Sequence, residues 1–154
     1  MSDQKTILLV EDEAILSLIK KLQLEKEGYA VISVHTGEMA LDMFGTNNNQ
    51  IDLILMDIDL GEGIDGTETA KKILEKHDLP LIFLSSHTEK EFVEKTESIL
   101  NYGYVVKNSS FTVLDASIKM AFKLFLGKQE LQRQLDETQN LYLQEKIQNK
   151  ASAG

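Results

Sequence analysis

Five short, almost purely apolar runs limit what this chain can fold into more than any other feature. They are Thr6 to Val10 (TILLV), Ala30 to Val34 (AVISV), Ile51 to Met56 (IDLILM), Leu81 to Leu84 (LIFL) and Tyr104 to Val106 (YVV). Each is too short for a helix and most are rich in branched side chains, so each reads as a strand. Strands that are apolar along their whole length need cover on both faces. The intervening segments supply it. Ala14 to Glu27 carries Ile15, Leu18, Ile19 and Leu22 at helical spacing and is closed by Gly28 as a C-cap. Thr36 to Phe44 is a short helix followed by the polar loop GTNNNQ. Thr67 to Lys76 places Ala70, Ile73 and Leu74 on one face, and Glu89 to Leu100 is polar and weakly amphipathic. From Phe111 the chain reads as helix until a frayed NKASAG. This alternation predicts an α/β, doubly wound fold: a five-stranded parallel sheet with helices on both faces.

In such a sheet the site lies in the crevice beyond the carboxyl ends of the strands. The residues found there are Glu11 and Asp12 after the first strand, Asp57 after the third, Ser85 after the fourth and Lys107 after the fifth. Three carboxylates in one crevice would raise one another's pKa values. A hard divalent cation removes that conflict, and Mg²⁺ takes one or two carboxylates, waters and phosphate oxygens. With Lys107 and the cation present, the formal charges cancel. A crevice so balanced can accept a phosphoryl group on aspartate. The metal and Lys107 would neutralise the equatorial oxygens during in-line transfer.

The stretch GEGIDG matches G-x-G-x-x-G at Gly61, Gly63 and Gly66. A pyrophosphate cradle works through backbone N–H groups at a helix N-terminus. Here Glu62 and Asp65 lie inside the motif, and Asp57 and Asp59 precede it. The motif also follows the third strand rather than the first, and no acidic residue ends the next strand, as ribose recognition requires. The glycines therefore read as loop residues that pass beside the site, with Gly66 leading into the next helix.

Taken together, LLVEDE (8–13), LILMDIDL (53–60), the DG pair at 65–66, LIFLSS (81–86) and YVVK (104–107) resemble the receiver domain of two-component response regulators. The resemblance runs through roughly residues 5 to 125. It implies a flavodoxin-like (βα)5 three-layer sandwich with strand order 2-1-3-4-5 and an extended C-terminal helix. It also implies roles. Asp57 would be the phosphoacceptor. Glu11 and Asp12 would be the acidic pair holding Mg²⁺, with Asp57 and the main-chain carbonyl of Asp59 as further ligands. Lys107 would pair with phosphoryl oxygens. Ser85 would supply the switch hydroxyl and Tyr104 the switch aromatic. The donor would be a phosphohistidine on a sensor histidine kinase or phosphotransfer protein. Two positions depart from the family pattern. Asn108 stands where a cis proline usually follows the lysine, and a non-proline cis bond costs about 2.5–4 kcal/mol, so the peptide is either strained or trans. Gly61 replaces a common proline. Asp59 is acidic where many receivers are neutral, and could slow transfer or steer water.

Plainer roles exist for the same residues. Glu11 and Asp12 could favour the start of the first helix, Ser85 or Ser86 could cap the fourth, and Tyr104 could be a sheet aromatic. His35, His77 and His87 have no metal-ligand spacing and read as surface residues; His87, near the site mouth, is not expected to matter.

The division predicted is a receiver at 1–126 and a helical extension at 127–154. The extension has four basic and four acidic residues, so the formal net charge of −9 belongs to the receiver. That acidity disfavours direct nucleic-acid binding. A seam runs through Leu124, Lys128, Leu131, Leu135, Thr138 and Tyr142 at 3-4 spacing, an imperfect heptad pattern that predicts a dimeric coiled coil. The alternative dimer interface is the face of the fourth and fifth helices. The chain holds no cysteine, which fits a reducing cytosol, and no run long enough to cross a membrane. Its acidic N-terminus does not read as a signal peptide. No output domain follows, so the chain also reads as the excised receiver of a hybrid or sensory kinase. Three other classes remain: a pseudo-receiver indifferent to phosphate, an aspartate-dependent phosphohydrolase suggested by Asp57 and Asp59, and a flavodoxin-like nucleotide binder.

Overall fold

The structure, a computed structural model, describes residues 4–45 and 50–153. Five strands and five helices alternate: β1 (Thr6–Val10), α1 (Ala14–Lys26), β2 (Ala30–Val34), α2 (Gly37–Gly45), β3 (Leu53–Asp57), α3 (Gly66–Leu74), β4 (Leu81–Ser85), α4 (Glu89–Thr96), β5 (Tyr104–Val106) and α5 (Phe111–Ala153). The strands form one parallel sheet in the order β2-β1-β3-β4-β5. The fold expected from the apolar runs is the fold observed.

Side chains alternate across a strand, and here both sets are buried. Leu8, Val10, Ile54, Met56 and Phe83 pack with Ala40, Ala70, Ile73 and Phe92 from α2, α3 and α4. Ile7, Leu9, Leu53, Leu55 and Leu84 pack with Leu24, Leu114 and Ile118 from α1 and α5. Each fully buried aliphatic side chain contributes about 1.5–3 kcal/mol, and β1, β3 and β4 accordingly carry only apolar residues between their first and last positions.

The register sets up the site. Val10 pairs with Met56, Asp57 with Leu84, and Ser85 with Val106. The four strands β1, β3, β4 and β5 therefore release their next residues along one rim of the sheet.

Several local expectations shift. The helix of α1 is where the periodicity puts it, with Gly28 just beyond its end at φ 102°. Its buried residues, however, are Ser17, Lys20 and Leu24, while Ile15, Leu18, Ile19 and Leu22 face solvent. Only Glu11 to Glu13 join β1 to α1, and so short a connection fixes the helix phase regardless of which stripe is more apolar. Helix α4 stops at Thr96 rather than Leu100: a turn with Ile99 N–H donating to Thr96 O brings Ile99 into the core. The α4 N-cap is Thr88, whose hydroxyl accepts from Glu91 N–H at 3.2 Å, and not Ser85 or Ser86. Helix α5 continues to Ala153, so NKASA is helical rather than frayed. Most of the polar loop expected at GTNNNQ, residues 46–49, lies outside the described residues.

The chain divides into one compact unit ending at Phe122 and a second beginning at Lys123. The second unit is helical, with Leu131, Leu135 and Tyr142 exposed. It carries the in-helix ion pairs Arg133–Glu130 at 2.7 Å and Arg133–Glu137 at 2.8 Å.

Candidate functional site

Asp57 is the last residue of β3 and only 1% exposed. Its Oδ2 accepts from Lys107 Nζ at 2.8 Å and its Oδ1 from the Asp59 N–H at 3.0 Å. Glu11, fully buried, approaches the same ammonium with Oε2 at 3.4 Å, and that oxygen also accepts from Glu13 N–H at 3.2 Å. Asp12 is exposed at the rim. One carboxylate oxygen from each of Glu11, Asp12 and Asp57 lies within 4.8 Å of the others. Lys107 is anchored by its backbone, its N–H donating to Ser85 O at 3.0 Å. The Lys107–Asn108 peptide is trans.

The electrostatics follow from this packing. Burial, with the neighbouring Glu11 charge in support, pushes the Asp57 carboxyl up to about 7 against the pull of Lys107. For Lys107, burial alone would lower the pKa. The hydrogen bond and charge of Asp57, then Glu11, outweigh it and raise the value, so the side chain stays an ammonium. The cluster thus holds more negative charge than one lysine can offset.

A second feature points the same way. Glu11 Oε1 is buried and has no hydrogen-bond partner. Leaving such an oxygen unsatisfied costs about 1–3 kcal/mol or more. An orphaned carboxylate oxygen beside two further carboxylates is the donor set that a hard divalent cation accepts. The residues present fit such an ion.

The outer residues are arranged around β4 and α4. Ser85 is buried, and its Oγ accepts from His87 N–H at 2.9 Å. Tyr104 is half-buried with its ring centroid 4.3 Å from that of Phe92. His35 and His77 are exposed, as expected; His87 is not a bystander. At 19% side-chain exposure, it sets Nε2 2.7 Å from Asp59 Oδ2 and Nδ1 2.9 Å from Glu91 Oε2. Lys95 Nζ stands 3.8 Å from Asp59 Oδ1. The Asp59 side chain is therefore engaged by β4–α4 groups rather than standing unopposed at the site mouth. The His87–Glu91 pair was legible as an i,i+4 spacing. The His87–Asp59 contact was not, because it exists only once β3 and β4 are neighbours.

The glycines of GEGIDG shape the loop beside the cluster. Gly61 and Gly63 have φ of 70° and 90°, the left-handed region that favours glycine. A Cβ on Gly61 would sit 3.3 Å from Asp12 Oδ2, and one on Gly66 would overlap the Asp57 carbonyl oxygen. Glu38 of α2 holds the loop from outside, its Oε2 accepting from Ile64 N–H at 3.0 Å. Asp65 caps α3 by accepting from Glu68 N–H at 2.9 Å.

A family model described as the response regulator receiver domain matches residues 7–119. The chain belongs to that family. As a receiver it is a signalling domain of two-component systems, and similar proteins bear this out. It is 30% identical over 130 residues to the uncharacterized transcriptional regulatory protein YrkP of Bacillus subtilis, covering 83% of this chain and 54% of that one. It is 42% identical, at a TM-score of 0.75, to the N-terminal domain of a response regulator/sensory box/GGDEF three-domain protein from Carboxydothermus hydrogenoformans, over 80% of this chain and 98% of the other. It is 32% identical, at a TM-score of 0.67, to the response regulator TrrA of Thermotoga maritima in complex with Mg²⁺ and BeF, over 77% and 99% of the two chains. This receiver spans about half the length of YrkP, the first of these relatives. No described helix is long and apolar enough to cross a membrane.

Proposed function

We propose that Asp57 accepts a phosphoryl group from a phosphohistidine of a sensor histidine kinase or phosphotransfer protein. The observation that supports this best is the buried Asp57 carboxylate, held 2.8 Å from Lys107 beside the orphaned Glu11 oxygen. In this reading one Asp57 oxygen forms the new bond to phosphorus. The bond from phosphorus to the donor imidazole nitrogen breaks, and that nitrogen keeps the electron pair. Lys107 pairs with the phosphoryl oxygens. Glu11, Asp12, Asp57 and the main-chain carbonyl of Asp59 would hold Mg²⁺, which when bound supplies positive charge against the oxygens of the transferring group. The Ser85 hydroxyl turns from His87 N–H toward the phosphoryl group, and Tyr104 turns inward behind it. The same residues assist the later attack of water that restores the carboxylate. The receiver is residues 1–126, acting in the cytoplasm. Its output is a change of partner binding or of dimerisation, through the extension at 127–154 or the faces of α4 and α5.

The test is intact mass after incubation with Mg²⁺ and acetyl phosphate, for wild type and Asp57→Asn in parallel. A single phosphoryl adduct on wild type alone is expected. A folded wild type without the adduct would leave an interaction module that ignores phosphate.

A further inference from the structure

Lys20 sits on the inner face of α1 between Ser17 and Leu24 and is 8% exposed. Among the described residues nothing accepts a hydrogen bond from its ammonium, and no carboxylate lies within ion-pair distance. Its stem is buried while the ammonium keeps access to water rather than to an acid. Lys20 lines a cavity of about 260 Å³ between α1 and the connection from β5 to α5. Ile19, Leu84, Phe111 and Leu114 form apolar walls, and Ser109 and Ser110 add hydroxyls. No aspartate or glutamate lines it, in a chain of formal charge −9. Lys107 also borders the cavity, but its ammonium is committed to Asp57 and Glu11. Lys20 therefore supplies the uncommitted charge.

We propose that this cavity binds a small organic anion, a carboxylate on an apolar body, with Lys20 as its charge partner. The apolar walls select a hydrophobic body and the lysine selects negative charge. Sites for drug-sized ligands run roughly 300–1,000 Å³, so the occupant here is smaller, on the order of ten heavy atoms. The ammonium gains an acidic partner, which no described residue supplies, and the Ser109 and Ser110 hydroxyls serve the remaining carboxylate lone pairs. Because Lys107 borders both the cavity and Asp57, the ligand lies one side chain from the acidic cluster. The proposal does not depend on phosphorylation of Asp57.

Benzoate is the probe, and benzyl alcohol its neutral counterpart. Each is titrated into the full ¹⁵N-labelled chain at low salt, free of phosphate, and read by two-dimensional NMR. The expected result is saturable shifts at the Lys20, Ser109 and Ser110 amides, with benzoate binding at least tenfold more tightly than benzyl alcohol. Lys20→Met, which keeps an apolar stem of similar length, loses that preference, and Lys20→Arg keeps it. Equal binding of the two probes, benzoate shifts that do not saturate, or an unchanged preference in folded Lys20→Met each overturns the proposal. Should Lys20→Met fail to fold, the comparison of the two probes on the wild type decides alone.

Discussion

Lys107 Nζ and Asp57 Oδ2 lie 2.8 Å apart although 50 positions separate them in sequence. The contact joins the ends of β3 and β5, between which β4 runs, so the lysine reaches across a strand to a carboxylate that the core has largely desolvated. One ammonium facing two buried acids sets up opposing consequences for pH and for metal.

Stability of the metal-free protein should fall as pH rises from about 4 to about 7. The Asp57 carboxyl is raised from 3.8 to about 7 in the folded chain, so across that window the native state holds a proton that the unfolded state has released. Each unit of difference corresponds to about 1.4 kcal/mol. Asp57→Asn should therefore be more stable than wild type by on the order of 2–4 kcal/mol at pH 8 in EDTA, and nearly equal to it at pH 4.5. Urea unfolding at both values checks this. An asparagine variant that is no more stable at pH 8 would refute it.

Mg²⁺ should remove that pH dependence. An ion that binds only the folded state stabilises it by about 2.7 kcal/mol at a hundred times its Kd, and its charge favours the ionised form of Asp57. The wild-type melting temperature should rise with Mg²⁺ concentration. Asp12→Asn and Glu11→Gln should each blunt the response, the second also by leaving a buried amide where Oε1 now lacks a partner. Thermal melts across a Mg²⁺ series would show it, and a response unchanged in both variants would place the metal elsewhere.

The residues of the cluster were legible because each directly follows or ends an apolar strand, and a parallel sheet aligns strand ends. Glu11, Asp57, Ser85 and Lys107 needed nothing beyond that rule. What escaped were contacts set by tertiary phase. In α1 the stripe of Ile15, Leu18, Ile19 and Leu22 marks a helix but not its buried face, because periodicity fixes the helix while the short link from β1 fixes its rotation. His87 escaped for a related reason: its partner Asp59 lies 28 positions earlier, on a loop brought near by sheet pairing.

His87 should restrain the start of α4. Its imidazole bridges Asp59 on the β3–α3 loop and Glu91 in the first turn of the helix. His87→Ala should accelerate amide hydrogen exchange over Glu91 to Thr96 several-fold, with a stability loss below about 2 kcal/mol. The exchange rates of α1 and α3 should not change. Uniform rates between wild type and variant would mean that the bridge adds nothing to the helix.

Two glycines should respond oppositely to alanine. At Gly66 a Cβ would overlap the Asp57 carbonyl oxygen, a backbone atom that cannot swing away. Gly66→Ala should cost about 1–3 kcal/mol or more and disturb the position of Asp57, lowering acetyl phosphate labelling. At Gly127, within α5, nothing lies within 4 Å of the added methyl. There alanine should stabilise the helix by about 0.5–1 kcal/mol. Circular dichroism melts of the two variants separate steric from propensity effects, and similar shifts in both would contradict the close approach at Gly66.

The extension should associate with a second copy through its apolar seam. Leu131, Leu135 and Tyr142 are exposed on a helix whose polar faces are already served by Arg133 with Glu130 and Glu137. Isolated helices of modest length are marginal in water, so burying that seam against a second copy would stabilise this segment. Light scattering coupled to size exclusion should give a dimer for the full chain at micromolar concentration. Leu131→Glu with Leu135→Glu should shift it to monomer and reduce helicity, while acetyl phosphate still labels Asp57. A dimer that survives the double substitution would move the interface to α4 and α5, and phosphorylation would then be expected to tighten it, since Tyr104 packs on Phe92 of α4.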